Sequence, residues 1–317
     1  MYHILHAFFY LLSLLPLRIL YFLSDVEYAV LYYVLRYRRD VVRQNLRTSL
    51  TDRSNDELRA IEKGFYHWFA DYFFETVKLL SISRSELQRR FTIKGADEVE
   101  RCFADGRDTA AILGHYCNWE WLSCVGIAMP ANRCMGLIYH PLRNKAFDRL
   151  FQDMRLSQPG AIVVPKNEIL RRLVALRRDG TRSMFGYIAD QGPKWTNIHL
   201  WLPFLGHDTP VFTGAERIMR KMHNAVFYVH MSRPRRGYYV CEFQKIVDDA
   251  ANTAEYDITR RFFQLLEADI RREPRYYLWS HNRWKRTHEE FDRRFEVVNG
   301  KVHEKGSDDG KGTTENK

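Results

Sequence analysis

The sequence lacks several patterns that would point to common classes of protein. Its five cysteines include no C-x-x-C pair, so neither a zinc ribbon nor a disulfide framework is indicated, and a reducing compartment is favoured. No H-E-x-x-H motif, cluster of metal ligands or glycine-rich phosphate loop occurs. We therefore expect neither a metal nor a bound cofactor.

The sequence also lacks a clean hydrophobic run of the roughly 20 residues that span a bilayer. The run from Ile4 to Leu15 stops at Pro16, and the run from Ile19 to Leu35 is interrupted by polar residues, namely Ser24, Asp25 and Glu27. Basic residues come after these runs instead of preceding them, and no small-residue cleavage site is visible. These are Arg36, Arg38, Arg39, Arg43 and Arg47.

We therefore predict that residues 1–35 are a retained hydrophobic membrane anchor. The arginine cluster keeps the remainder of the chain in the cytoplasm, at the inner (cytoplasmic) membrane. Three arrangements stay open: a span, a broken amphipathic pair lying in the membrane surface, and a buried core hairpin.

Composition favours a folded, basic protein. Hydrophobic residues make up 45% of the 317 residues and charged residues 28%, which excludes wholesale disorder. The net charge of +10 suits nucleic acid, anionic lipid or an acidic protein. We assign residues 36–304 to one domain and residues 305–317, rich in small, polar and charged side chains, to a disordered tail.

After an amphipathic helix over residues 55–80, short apolar strands alternate with helices, which predicts an α/β sheet flanked by helices. The predicted strands are Thr109–Gly114, Ala161–Pro165, Ser183–Ala189, Ala225–Met231 and Tyr238–Ile246. The predicted helices begin near Asn118 and cover Glu168–Arg178, Thr213–Met222 and Ala254–Arg272.

The most informative segment is Gly114-His115-Tyr116-Cys117-Asn118-Trp119-Glu120. His115 follows a strand at its carboxyl end, where open α/β sheets bind their ligands. Glu120 lies five residues later, and the bend between strand and helix can return its carboxylate to the imidazole. Such a pair activates an alcohol: the imidazole takes the hydroxyl proton, and the carboxylate fixes the tautomer.

Several segments in the same order make the sequence resemble the late acyltransferases of lipid A biosynthesis, the lauroyl and myristoyl transferases of the lysophospholipid acyltransferase superfamily. They are Tyr37-Arg38-Arg39, Val42 to Leu46, Gly114-His115 to Glu120, Asn144 to Asp148, Asp190-Gln191, Phe204-Leu205-Gly206 to Pro210, and Trp279-Ser280-His281 to Lys285. Together with the apolar N-terminus they cover about residues 1–290.

The resemblance implies a mixed, largely parallel sheet like that of glycerol-3-phosphate acyltransferase. It also implies acyl transfer from acyl carrier protein (or acyl-CoA) to a hydroxyl of a lipid A precursor, with no cofactor. His115 would be the general base and Glu120 its orienting partner. The substrate-binding residues would be Asn118, Arg155, Asp190, Gln191, His281, Arg283 and Lys285. Where relatives often have a further acidic residue after Asp-Gln, this chain has Gly192-Pro193, which restricts Asp190 to shaping the site.

Three alternatives remain. The first is a different acceptor, another lyso-lipid such as lysophosphatidic acid or an amino-acid-containing lipid. In the second, Cys117 is a conceivable thioesterase nucleophile, although two residues from His115 is poor geometry for a Cys–His pair. The third, a non-catalytic module binding membrane or nucleic acid, would use the basic, aromatic segment Tyr276–Lys285. Within it, the alternation over His281–Lys285 fits a strand-like stretch that lines a phosphate pocket or forms a basic rim docking on lipid. No nucleic-acid motif is present, so we expect a lipid acceptor and a membrane surface as partners, and no nucleic acid.

Overall fold

The computed structural model describes residues 1–129, 133–157, 160–298 and 300–305. The tail predicted over residues 305–317 lies outside the described residues, except for Lys305.

The N-terminal hydrophobic segment forms two helices with a sharp bend between them. Helix α1 covers Tyr2–Leu14 and helix α2 covers Leu17–Ala29, followed by a π-helical turn, Val30–Val34. Pro16 precedes α2, where its missing N–H is harmless. No single helix in the described part of the chain is long and apolar enough to cross a membrane, whereas α1 and the Leu17–Val34 segment pass that test together as a pair bent by 115°.

One side of this helix pair packs against the protein and the other is exposed. Helix α2 buries Leu17, Leu20 and Ser24 against helix α4, Asn55–Lys78. The exposed apolar side chains include Ile4, Phe8, Leu11, Leu14, Ile19, Phe22, Val26, Val34 and Leu35. The hydrophobic segment is therefore amphipathic in its folded setting.

Helix α4 begins with a capping box that explains where the predicted helix starts. The Ser54 hydroxyl accepts a bond from the backbone of Glu57, whose carboxylate accepts one from the backbone of Ser54. This reciprocal pair satisfies two backbone donors at the helix start. Between α2 and α4 lies helix α3, Arg39–Ser49.

Seven strands of the described residues form one mixed sheet, in the order β1-β9-β8-β2-β5-β3-β4. All neighbouring pairs are parallel except the antiparallel hairpin β8–β9. The strands are β1 Phe91–Lys94, β2 Thr109–Leu113, β3 Cys134–Tyr139, β4 Ala161–Pro165, β5 Ser183–Ile188, β8 Ala225–Arg235 and β9 Tyr238–Val247. Two small antiparallel hairpins lie outside it: β6 Trp201–Phe204 with β7 His207–Pro210, and β10 Phe295–Val298 with β11 Lys301–Glu304.

Helices flank the sheet, as the sequence predicts for an α/β fold. The remaining helices are α5 Arg84–Arg90, α6 Ala96–Ala104, α7 Lys145–Arg155, α8 Ile169–Arg178, α9 Gly214–Lys221, α10 Asp257–Arg272 and α11 His288–Arg294. The α/β class, the predicted strands and the main helices are confirmed, with ends shifted by a few residues.

Two local predictions need correction. The helix expected near Asn118 is a 3-10 helix, Trp119–Ala128. The strand-like conformation expected for His281–Lys285 is wrong, because this segment is a series of turns between the 3-10 turn Pro274–Tyr276 and α11. Hydrogen bonds from the Asn45 side chain of α3 to the carbonyls of Trp279 and His281, at 2.8 and 2.9 Å, hold these turns in place.

Candidate active site

The site lies where two adjacent parallel strands end together. Leu113, the last residue of β2, pairs with Ile188, the last residue of β5. His115 and Asp190 each come two residues later, so the register of the sheet brings them side by side. Nδ1 of His115 lies 2.7 Å from Oδ1 of Asp190.

This contact fixes the chemistry of the imidazole. Burial raises the pKa of Asp190, but the electrostatic attraction of the His115 imidazole and the hydrogen bonds with it outweigh burial and hold that pKa below its ordinary value. An ionised Asp190 only accepts hydrogen bonds, so Nδ1 carries the proton and Nε2 has a free lone pair. The amide nitrogen of Gln191 lies 3.3 Å from Nε2 and donates to it. With 18% of its side chain exposed, His115 can offer Nε2 to a substrate.

Glu120 does not make the contact predicted for it. Its carboxylate accepts two bonds from Arg155, at 2.7 Å from Nε and 2.6 Å from Nη2. Burial alone would lower the pKa of the Arg155 guanidinium, but the attraction of the Glu120 carboxylate outweighs burial and raises that pKa above its ordinary value. Glu120 is 5% and Arg155 20% exposed in their side chains. The carboxylate bonded to the imidazole is that of Asp190 in this structure, and Glu120 is paired with Arg155.

Aromatic rings connect the two pairs. The ring of Trp119 meets that of His115 edge to face, with centroids 5.1 Å apart, and lies 4.3 Å from the ring of Tyr72 on its other side. The Tyr72 hydroxyl donates to Glu120 at 3.4 Å. The Glu120–Arg155 pair is therefore connected to the imidazole through Tyr72 and Trp119.

The loop between His115 and Trp119 is held in an unfavourable conformation. Cys117 has φ of 55°, a left-handed conformation that costs roughly 1–2 kcal/mol outside glycine. Its N–H donates to the carbonyl of Tyr276 at 2.8 Å, and the Asn118 amide donates to the buried carboxylate of Glu75 at 2.9 Å. Asn118 is fully buried, and its amide group braces the loop, while its Oδ1 has no hydrogen-bond partner among the described residues.

The C-terminal residues His281 and Arg283 also lie at this site. Burial lowers the pKa of His281 from 6.5 to about 4, with Asp190 opposing and Arg283 and His115 reinforcing the change. His281 and Arg283 therefore lie within the electrostatic reach of Asp190. Lys285 is exposed. The structure brings together His115, Asp190, Gln191, His281 and Arg283, and connects Glu120 and Arg155 to His115 through Tyr72 and Trp119.

An apolar cavity adjoins the loop that carries His115. Its volume is about 30 Å³. Leu113 lines it two residues before His115, and Leu122 and Ser123 line it shortly after Glu120; the rest comes chiefly from β3 and β5, including Gly136 and Gly186. A Cβ on Gly186 would make ordinary contacts, 3.5 Å from Leu137, so glycine there leaves room for an apolar group.

One other cluster has the composition of a metal site. Asp25, His67 and Asp71 bring their ligand atoms within 4.8 Å of one another. However, Arg236 donates to Asp25 and Asp71, each at 2.6 Å. The guanidinium already occupies the position a cation would take, so these residues fit a structural ion pair better than a metal.

Sequence reasoning missed Asp190 as the partner of the imidazole. The available signal was that His115 and Asp190-Gln191 both come directly after predicted strands, and that the carboxyl ends of neighbouring parallel strands converge. Sequence spacing favoured Glu120 because it is local, whereas strand adjacency is a property of the folded sheet.

Comparisons with known proteins show the family of the chain. Residues 1–286 match the family model described as bacterial lipid A biosynthesis acyltransferase. The chain is 23% identical over 278 residues to a lipid A biosynthesis palmitoleoyltransferase of Escherichia coli strain K12, covering 86% of each chain. It shows the same identity and coverage with a lipid A biosynthesis acyltransferase of Shigella flexneri. The chain therefore belongs to the bacterial lipid A biosynthesis acyltransferase family and is an acyltransferase of that pathway.

Proposed function

We propose that His115 is the general base that activates a hydroxyl of a lipid A precursor for attack on a fatty acyl thioester. The observation that carries this proposal is the 2.7 Å contact between Nδ1 of His115 and Asp190, which leaves Nε2 as the base. Gln191 occupies Nε2 in the free enzyme, and the acceptor hydroxyl would take its place.

Protons and electron pairs balance over two steps. Nε2 takes the hydroxyl proton while the oxygen bonds to the thioester carbonyl carbon, giving a tetrahedral oxyanion. The oxyanion collapses, the C–S bond breaks, and the imidazolium of His115 returns the proton to the departing thiolate. Asp190 stabilises the imidazolium between these steps.

We propose that the fatty acyl chain enters beside Leu113, where the lining is apolar, and that the cavity of about 30 Å³ widens to hold it, with the carbonyl near His115. We propose acyl carrier protein, or acyl-CoA, as the donor. The net charge of +10 favours an acidic donor protein, so the donor KM should rise as salt shortens the Debye length below about 8 Å. A donor KM that is independent of salt would contradict electrostatic docking.

The Glu120–Arg155 pair supports a role for Glu120 other than orienting the imidazole. Its bidentate geometry fixes the Arg155 guanidinium at one orientation beside Trp119. We propose that Glu120 positions Arg155, and that the arginine contributes positive charge to substrate or oxyanion. Glu120 acts on the reaction through this positioning.

The docking of the N-terminal helices supports attachment within the surface of the inner membrane, with the catalytic body on the cytoplasmic side. Ser24 donates to Asp71 at 2.6 Å and Tyr21 to Glu75 at 2.9 Å, and the Lys78 ammonium donates to the carbonyl of Ser13 at 2.8 Å. A transmembrane orientation would break these buried bonds, whereas a helix pair lying in the interface keeps them and gives its exposed apolar side to lipid.

The test is the conversion of acceptor lipid by the purified full-length protein, with the products identified by mass spectrometry. His115→Ala should lower kcat by about 10²–10⁴. The matched control is His223→Ala, since His223 is 63% exposed and follows α9 at the opposite end of the strands. Near-normal kcat in a folded His115→Ala protein would overturn the assignment, and preference for lysophosphatidic acid over the lipid A precursor would overturn the acceptor.

A further inference from the structure

Arg283 is a buried cation that lacks most of the hydrogen bonds it needs. It is 2% exposed, and its Nη2 donates to the carbonyl of Pro210 at 2.7 Å. Its Nε and Nη1 are buried and have no hydrogen-bond partner among the described residues. A guanidinium cannot lose its charge at ordinary pH, so burial without an anion is costly.

A second arginine near Arg283 also lacks a hydrogen-bond partner for a buried nitrogen. Arg286 also has a buried Nε with no partner among the described residues, and its guanidinium lies over the ring of Trp195, 5.5 Å from the centroid. Burial lowers the pKa of the Arg283 guanidinium, and the positive charge of Arg286 lowers it further. Asp190 attracts Arg283, but its Oδ1 is already bonded to His115. Neither arginine has a carboxylate ion-pair partner in the described part of the chain.

The Gly192 backbone lies against both guanidinium groups. A Cβ at this position would lie 3.2 Å from Nη1 of Arg283 and 4.0 Å from Nη1 of Arg286. Gly192 and the preceding Gln191 are half-buried, so these contacts lie near the surface. An anion placed here would meet N–H donors from two arginines, next to the residue that contacts Nε2 of His115.

We infer that Arg283, Arg286 and the Gly192 backbone form a binding site for a phosphate group of a substrate. Two guanidinium groups match the charge and the several acceptor oxygens of a phosphate better than those of a single carboxylate. This inference rests on the proposed function, because it places the phosphate of a reactant beside the imidazole. That phosphate belongs either to a phosphorylated acceptor lipid or to the pantetheine arm of the donor.

The first experiment measures binding without turnover. Inorganic phosphate is titrated into the full-length His115→Ala protein by calorimetry and by thermal unfolding. Arg286→Gln should raise the Kd for phosphate by about tenfold or more, the effect of losing a charge-assisted hydrogen bond. Arg293→Gln, at an exposed position of α11, should leave the Kd unchanged. Equal Kd values for the parent and Arg286→Gln would overturn the site.

Gly192→Asp should change two measured quantities in opposite directions. Its carboxylate would lie beside both guanidinium groups, so it should raise the melting temperature and remove the stabilisation by phosphate. The neutral, similarly shaped Gly192→Asn should do neither. A Gly192→Asp protein that still gains the parent's stabilisation from phosphate would count against the site.

Steady-state kinetics of Arg286→Gln, with His115 intact, identifies the source of the phosphate. A raised KM for the acceptor alone supports the lipid phosphate, and a raised KM for the donor alone supports the pantetheine arm. Unchanged KM values for both would refute a role in substrate binding. Phosphate binding is measured on a protein that lacks His115, so the phosphate site can be refuted while His115 remains the proposed base. Equally, the role of His115 can be refuted while the phosphate site remains.

Discussion

Replacing Asp190 by asparagine would test the tautomer of His115 with almost no change in shape. The carboxylate is 2% exposed and lies 2.7 Å from Nδ1, so water cannot substitute for it. The amide introduced by Asp190→Asn can donate to Nδ1, which moves the ring proton to Nε2 and removes the base. The same change in serine-protease triads lowers kcat about 10⁴-fold, equivalent to about 5 kcal/mol of transition-state stabilisation.

The matched variant is Glu120→Gln, since Glu120 is the acid that sequence spacing favoured. Loss of this carboxylate would leave the Arg155 guanidinium, 20% exposed in its side chain, without its ion-pair partner. Breaking a buried ion pair from one side costs about 3–5 kcal/mol of folding free energy. We therefore expect Glu120→Gln to lower the melting temperature clearly and kcat less than Asp190→Asn does.

The assay is initial-rate transfer to the acceptor lipid under saturating donor, with thermal unfolding of each variant measured in parallel. Asp190→Asn should remain folded with a KM close to that of the parent. A folded Asp190→Asn enzyme with kcat within a few-fold of the parent, beside an inactive but folded Glu120→Gln enzyme, would refute our reasoning. It would mean that Glu120 orients the imidazole when substrate is bound.

Three further outcomes are expected. Gly186→Val should fill part of the apolar cavity and shift product masses towards shorter acyl chains, with the preference changing about fourfold per methylene lost. The control Gly214→Ala, with no atom within 4 Å of its Cβ, should leave the product masses unchanged. Unchanged masses for Gly186→Val would exclude this cavity as the acyl site. Cys117→Ala should keep kcat within a few-fold, because burial raises the pKa of this thiol, and an inactive folded variant would restore the thiol mechanism. Because burial holds the pKa of His281 at about 4, the unfolded chain takes up the proton first as pH falls below 6.5. The free energy of unfolding should then drop by about 1–2 kcal/mol between pH 6.5 and 5, and His281→Gln should abolish that part of the pH dependence.

Local sequence patterns determined the secondary-structure elements and the position of His115 at the end of a strand. The apolar segment Thr109–Leu113 is followed by His115, and the Ser54–Glu57 capping box marks the start of α4. Hydrophobic periodicity and capping act over a few residues, so the chain reveals them directly. The amphipathic docking of α1 and α2 is a different case, because its polar partners lie on α4, dozens of residues away.

Only the tertiary structure decided which side chains meet at the site. Asp190 reaches His115 across 75 residues because β2 and β5 are neighbours in the sheet with their ends in register. Glu120, five residues from His115, is drawn instead to Arg155 of α7, 35 residues away. The sequence likewise does not show that Arg283 and Arg286 have no carboxylate partner among the described residues, since the presence of a partner depends on everything packed around them. Short-range pattern determines what each segment becomes, and long-range strand order and charge pairing determine what it contacts.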